Sequence, residues 1–446
     1  MGERKLLNMT SGNILHLIVS FSLPLLAGNL FQQLYNTVDS IVVGNYVGKE
    51  ALAAVGASAS FINMLVGFFS GLAAGGGVVI SQFFGAGEIE NMRKTVHTMV
   101  VGTLVLSLAF TVIGFFSTRF MLHLMSTPED VFNEADVYLR IYFLGISFFM
   151  LYNMGAGILR AVGDSKNPFY FLLVSSFLNV ALDLLFVLVF HLGIAGVAYA
   201  TIISEAVSSL LVFILLFSSH ECYKLKINEM RMSFEMLSRI VKIGLPSALQ
   251  MSITAFSNVF VQGYINFFGS SYMAGWASYS KIDQVVFLPV QTISLAVTTF
   301  VGQNYGARKM ERVRSGIRTA LFLSFAIVGV FIVLLMIFAR PLVSLFNNEA
   351  QVLYYGTFLL RVCSPFYLMA ALNNVYGGAL RGLGNSMPPM LIMLSTFVVL
   401  RQIYLAISTH ITTSFYPVSV AYPVGWTACS ILLVLYYRRY VKNFRD

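Results

Sequence analysis

The feature that most restricts this chain is the recurrence of long apolar runs from near its start to near its end. About 20 predominantly apolar residues cross the hydrocarbon core of a bilayer as a helix. Runs of that kind lie near 14–45, 53–85, 95–118, 135–160, 168–190, 194–218, 237–267, 274–305, 316–339, 351–381, 388–409 and 415–437. They are too long for barrel strands and lack period-two alternation. The sequence therefore predicts an all-α integral membrane protein with twelve transmembrane helices. Composition closes the alternatives: 57% of residues are hydrophobic and 11% charged, against roughly 25% charged in soluble domains. Such a chain cannot cover its surface for water, and soluble and disordered classes are excluded.

The net charge of +9 is spread over short loops between the runs, not gathered in one patch, so nucleic acid is not an expected partner. Arg93, Lys94, Arg160, Lys166, Lys224, Lys226, Arg239, Arg308, Arg312, Arg381 and Arg438 fall in one set of alternating loops. The other set holds little beyond Lys49, Arg119, Arg140, Arg340 and Arg361. The positive-inside rule then predicts that both termini are cytoplasmic. The polar opening runs straight into a span too long for a signal-peptide core, so Ile14 onward is expected to stay as the first helix. Cys222, Cys363 and Cys429 form no metal or redox motif; no metal and no cofactor are expected.

The halves repeat at an offset of 221–222 residues. Leu23-Pro24 returns as Leu245-Pro246 and Asn36 as Asn258. Gln82-Phe83-Phe84-Gly85-Ala86 returns as Gln303-Asn304-Tyr305-Gly306-Ala307, and Leu159-Arg160-Ala161-Val162-Gly163-Asp164-Ser165 as Leu380-Arg381-Gly382-Leu383-Gly384-Asn385-Ser386. Six spans per half make these parallel repeats. The expected organisation is a cytoplasmic segment 1–13, a lobe 14–218, a linker 219–236, a lobe 237–437 and a tail 438–446. Two pseudo-symmetric six-helix bundles around a central cavity are what alternating access needs. Gly71-Leu72-Ala73-Ala74-Gly75-Gly76-Gly77 lies within span two, where small residues let helices approach closely. No zinc helix, nucleophile elbow or phosphate loop is present, so an enzyme is not expected.

Polar residues inside spans are costly and functional by default. Asn29, Gln32, Asn36 and Asp39 share one face of span one, Asn179 and Asp183 one face of span five, and Thr201, Glu205 and Ser208 one face of span six. Counted along the spans, Asp39, Asp183 and Thr201 reach one depth, with Asn36, Asn179 and Glu205 a turn deeper. Two carboxylates at one level in a medium of low dielectric cannot both keep their charge cheaply. Such a pair can hold one proton or bind Na⁺. Lys281, Asp283 and Arg401 lie at a comparable depth in the second half and are expected to form a paired secondary network, to which Glu205 adds in the first half. Tyr35, Gln32, Phe61, Met64, Phe68, Met251, Phe256, Gln284 and Phe287 are expected to line an aromatic and methionine-rich substrate cavity, suited to apolar and cationic organic ligands.

The paired Q-x-x-G-A turns after spans two and eight resemble the MATE family of multidrug and toxin extrusion transporters. So do the L-R-x-x-G-[DN]-S turns after spans four and ten, and the Leu23-Pro24 to Asp39 spacing in span one. The resemblance covers nearly the whole chain. It implies a cation-coupled antiporter, driven by H⁺ or Na⁺, that exports amphipathic and cationic compounds as a monomer. It also implies a coupling site of Asp39, Asp183, Asn179 and Thr201, with Asn36 nearby. Glu205 stands where Gln is commoner. The acids that another branch carries in spans seven and ten are missing here. The alternatives within the superfamily are a lipid-linked oligosaccharide flippase, whose cavity should hold several basic residues, and a narrow-substrate metabolite exporter.

Overall fold

A computed structural model of the chain describes residues 7–125 and 127–442, the side chain of Ser60 excepted. The outermost residues of the expected cytoplasmic ends, 1–6 and 443–446, lie outside the described residues. Twelve helical rods follow one another: α1 Ile14–Val47, α2 Lys49–Ala86, α3 Ile89–Leu124, α4 Glu129–Ala161, α5 Lys166–Val189, α6 Gly193–Ser218, α7 Phe234–Asn266, α8 Ser270–Gly306, α9 Met310–Ser344, α10 Ala350–Gly382, α11 Met387–Ile411 and α12 Ala421–Lys442. There is no strand among the described residues. Ten of the rods are long and apolar enough to span a bilayer by length and composition. The other two, α7 and α12, are more polar, with Glu235, Arg239, Lys242, Gln250, Asn258 and Gln262 in one and Arg438, Arg439 and Lys442 in the other.

Each apolar run of the sequence lies on one rod, except that 415–437 is divided between a short helix, Tyr416–Ser419, and α12, and most rods overrun their runs. The run 95–118 is the middle of α3, whose first turns carry Glu90, Asn91, Arg93 and Lys94. These turns are polar, so hydropathy does not mark them although the helix includes them. At the far end of α2 the chain turns on Gly87 at φ 74°, and its amide closes on the Phe83 and Phe84 carbonyls. A left-handed residue there favours glycine.

The helices gather into two compact units. Among the described residues, one comprises 7–9 with Leu23–Ala248, the other Thr10–Ser22 with 249–442. The expected lobe boundaries at 14–218 and 237–437 thus differ from the compact units, which divide within α1 and α7, close to Pro24 and Pro246. Side-chain size explains the second division. A Cβ on Gly71 would collide with the backbone of Ala248, and one on Gly75 with the backbone of Gly244. The glycine run of α2 therefore seats the first half of α7 backbone to backbone, as a packing surface. The opening of α1 is held by the second unit, where Lys309 Nζ donates to the Thr10 carbonyl at 2.9 Å and Arg312 Nη2 to that of Gly12 at 2.8 Å.

The first unit buries Val78, Ile80, Val96, Ile158 and Leu159. The second buries Tyr272, Val286, Leu359, Ala371 and Leu405. The linker before α7 is docked on α3: the Lys226 amide donates to His97 Nε2 at 3.2 Å and the Ser233 amide to Thr98 Oγ1 at 3.1 Å.

Candidate functional site

Two helices of the first unit change pitch where the sequence places its acids. α1 passes into a π-helical segment at Val43–Val47, one turn after Asp39. α5 does the same at Leu185–Val189, directly after Asp183. The two segments touch each other, and both pack on α6. A π segment adds a residue to the turn and re-aims the side chains around it, and such segments concentrate at functional sites. Here they bring the Asp39 and Asp183 carboxyls into direct interaction.

The surroundings leave these groups unsatisfied. Asp183 is fully buried and Asn179 is 2% exposed. Asp39 Oδ1, both Asp183 oxygens, both side-chain polar atoms of Asn179, and Glu205 Oε2 are shut off from solvent without a hydrogen bond of ordinary geometry. Each such atom costs roughly 1–3 kcal/mol. Asp39 and Asp183 face each other in this condition, whereas Glu205 is tied to them only through the tyrosines that both approach.

Tyrosines frame the cluster. The Tyr138 side chain lies within electrostatic reach of Asp39, Asp183, Glu205 and Tyr35, and Tyr142 within reach of Glu205, Tyr138 and Tyr35. Tyr35 in turn meets Gln32 and stands near Glu205 and Asp39. Tyr138 and Tyr142 were missed by the reading of span four. Their spacing of four, on a face otherwise apolar, was the signal available.

Of the other expected coupling residues, Thr201 lies on α6 and donates to the Val197 carbonyl of its own helix at 3.1 Å. Its hydroxyl proton is thereby engaged, while its oxygen can still accept. Asn36 is exposed and makes no side-chain hydrogen bond among the described residues. It shares the stripe with Asp39 but is turned out of the buried cluster.

The second unit departs from the expected ion pairing. Among the described residues Asp283 forms no salt bridge with Lys281 or Arg401. Lys281 is exposed. Asp283 accepts from the Tyr279 hydroxyl at 3.3 Å and is in reach of Tyr367. Arg401 Nη2 donates to Ser257 Oγ at 3.0 Å and to Asn258 Oδ1 at 2.9 Å, and the guanidinium lies 4.6 Å from the Tyr422 ring centre. Tyr422 stands within reach of both Arg401 and Asp283. The network exists, but tyrosines and amides carry it. Residues two apart on a helix do not face each other, which separates Lys281 from Asp283, and Arg401 turns toward α7 instead.

The expected cavity residues separate into two groups. Phe61 packs on Phe143 and Phe68 on Phe69 and Phe110, against the core of the first unit. Phe287 packs on Tyr367 and Trp426 within the second. These three rings are packing residues because their helix faces point into a bundle, a rotation invisible to composition. Met251 and Phe256 remain 45% and 54% exposed, and Gln284 is exposed. Met64 is half-buried, and Tyr35 and Gln32 belong to the acid cluster.

Comparison with known proteins agrees with this architecture. A family profile described as MatE matches residues 24–185 and again 243–407. The chain is 31% identical over 405 residues to a probable multidrug resistance protein, YpnP, of Bacillus subtilis, covering 90% of each chain. It is 25% identical over 416 residues to a protein of Shewanella oneidensis named as an FAD transporter, covering 90% of each. A solved structure described as the outward-facing conformation of a multidrug resistance MATE family transporter superposes with a TM-score of 0.93 at 24% identity, covering 100% of both chains.

Proposed function

Since this chain belongs to the MatE family, and is thus a multi-pass membrane transporter and not an enzyme, we propose that it is a secondary antiporter. It exports amphipathic and cationic organic compounds in exchange for H⁺ or Na⁺. The observation that carries the reading is the set of partnerless buried oxygens on Asp39, Asp183 and Glu205 beside Asn179. A buried acid pair whose members meet chiefly each other has a reason to exchange a cation, and cation exchange in one unit is how an ion gradient would drive the cycle. In this reading Asp39 and Asp183 hold the coupling ion. Asn179 and the Thr201 oxygen complete its shell, Asn36 lies on the approach, and Tyr138 communicates occupancy to Glu205.

Multidrug resistance in the names of relatives supports a broad substrate range. The FAD-transporter name of another relative favours a second reading, a narrow-substrate exporter. The chain acts as a monomer in the plasma membrane; both termini lie in the cytoplasm, and the distribution of Lys and Arg supports that orientation. Liposomes carrying the purified protein test the function. An imposed proton or Na⁺ gradient should drive ethidium movement, and the gradient that works identifies the ion. Movement of one flavin compound alone, with ethidium and other cations left behind, would select the narrow exporter.

A further inference from the structure

At the end of the second unit where α9 begins and α12 stops, three arginines stand without a counter-charge. Arg314 and Arg318 lie one turn apart on one face of α9, and Arg438 lies in the last turns of α12. Like charges at that helical spacing repel. The ion pairs among the described residues include none of the three, and Glu311, in the first turn of α9, does not pair with Arg314. Arg314 Nε has no hydrogen-bond partner, so no protein group holds that guanidinium through this atom.

Two tyrosines draw these charges to one place. α10 packs against both α9 and α12, and its Tyr376 meets Tyr437 of α12 with ring centres 4.9 Å apart. Tyr437 stands within electrostatic reach of Arg314 and Arg318, and Tyr376 within reach of Arg318 and Arg438. The charged groups that act on the pair are all arginines. Both rings are half-buried and pack on Leu380, Met393 and Leu433, which fixes where their hydroxyls stand.

Away from this end, the same helix faces turn apolar and stay uncovered. Phe322 continues the row of Arg314 and Arg318 at the next turn of α9 and is 71% exposed. Leu435 and Ile431 continue the face of Arg438 on α12, at 58% and 56% exposed. Basic and aromatic residues above an apolar band match the layering of a lipid, headgroup over acyl chains. A free phosphate ester would leave the apolar band unused.

We infer that the α9–α10–α12 face binds an anionic glycerophospholipid. Its phosphodiester is received by Arg314, Arg318 and Arg438, its headgroup oxygens by the Tyr376 and Tyr437 hydroxyls, and its acyl chains lie along Phe322 and Leu435. A guanidinium fork matches two phosphate oxygens, and basic pockets at helix ends take such headgroups. The lipid supplies the counter-charge that the protein does not. This site is independent of the exporter reading, and its test needs no transport.

Purified, delipidated protein in detergent is titrated with phosphatidylglycerol or phosphatidylcholine of identical chains, and bound lipid is counted by native mass spectrometry. Phosphatidylglycerol should bind the wild-type protein at least about tenfold more tightly, since each arginine near a headgroup contributes about fivefold. Arg318→Gln and Arg438→Gln should each weaken phosphatidylglycerol by about fivefold. Both should leave phosphatidylcholine binding unchanged, which also shows that the variants are folded. Arg340→Gln removes an exposed arginine at the opposite end of α9 and should change neither affinity. Equal affinities for the two lipids in the wild type, or a loss with Arg340→Gln equal to that with Arg318→Gln, would overturn the inference. So would a preference that survives Arg314→Gln, Arg318→Gln and Arg438→Gln combined. Displacement of phosphatidylglycerol by an equal concentration of glycerol phosphate would overturn it too, by marking a site for a free phosphate ester.

Discussion

Asp183→Asn offers a test in which stability and function should move in opposite directions. The change is nearly isosteric at a fully buried position. In the native protein both Asp183 oxygens lack a hydrogen bond of ordinary geometry, and the side chain faces the Asp39 carboxyl. Asparagine removes the ionisable group and presents an amide N–H to Asp39 in its place. A hydrogen bond to a charged group contributes about 1.5–3 kcal/mol. For a compact unit of this size, each kcal/mol moves the Tm by about 2–4 °C, so the expected rise is roughly 3–12 °C. Far-ultraviolet circular dichroism during heating in detergent, at neutral pH and without added Na⁺, measures it. The same variant should lose gradient-driven transport, because Asp39 can no longer share an exchangeable ion. A Tm that stays level or falls would refute the reasoning: Asp183 would then be part of a satisfied structural knot, and its carboxylate would hold the helices together.

Other substitutions probe the frame around the site. Gly75→Leu must push α7 off α2, because even a Cβ there collides with Gly244; a loss of about 1–3 kcal/mol from overpacking is expected, read as a lower melting temperature. Asp136→Ala strips a 6%-exposed acceptor of Thr118, Arg119 and Arg140. With both arginines partly in solvent the cost should stay near 1–3 kcal/mol, and Asp136→Asn should recover part of it. His97→Leu releases the Lys226 amide, so trypsin should cut the linker at Lys224, Lys226 or Arg231 several-fold faster, while cleavage at the wild-type rate would show that other contacts hold it.

The fold was legible because membrane helices announce themselves by length and apolarity, and the repeat tied the two halves together. Their polar ends were not legible, since hydropathy fades there while the helix continues, as in α3. Asp39, Asp183 and Asn179 were visible as costly residues at one depth, a property that survives ignorance of helix rotation. Rotation decided the rest. Asn36 turned outward, Phe61, Phe68 and Phe287 turned into packed cores, and Tyr138 and Tyr142 turned toward the acids. The π-helical segments beside Asp39 and Asp183 had no sequence signal, because a single added residue per turn is set by tertiary packing. The division of α1 and α7 between compact units was hinted at by Pro24 and Pro246. It became readable only once Gly71 and Gly75 were seen against α7.

The most direct test of the account is transport by Asp39→Asn in proteoliposomes, side by side with wild type, under imposed proton and Na⁺ gradients. The account predicts that one gradient drives ethidium through the wild-type protein, and that the folded variant moves it no faster under that gradient than without it. A variant that responds to the gradient as the wild type does would contradict coupling through the Asp39–Asp183 cluster.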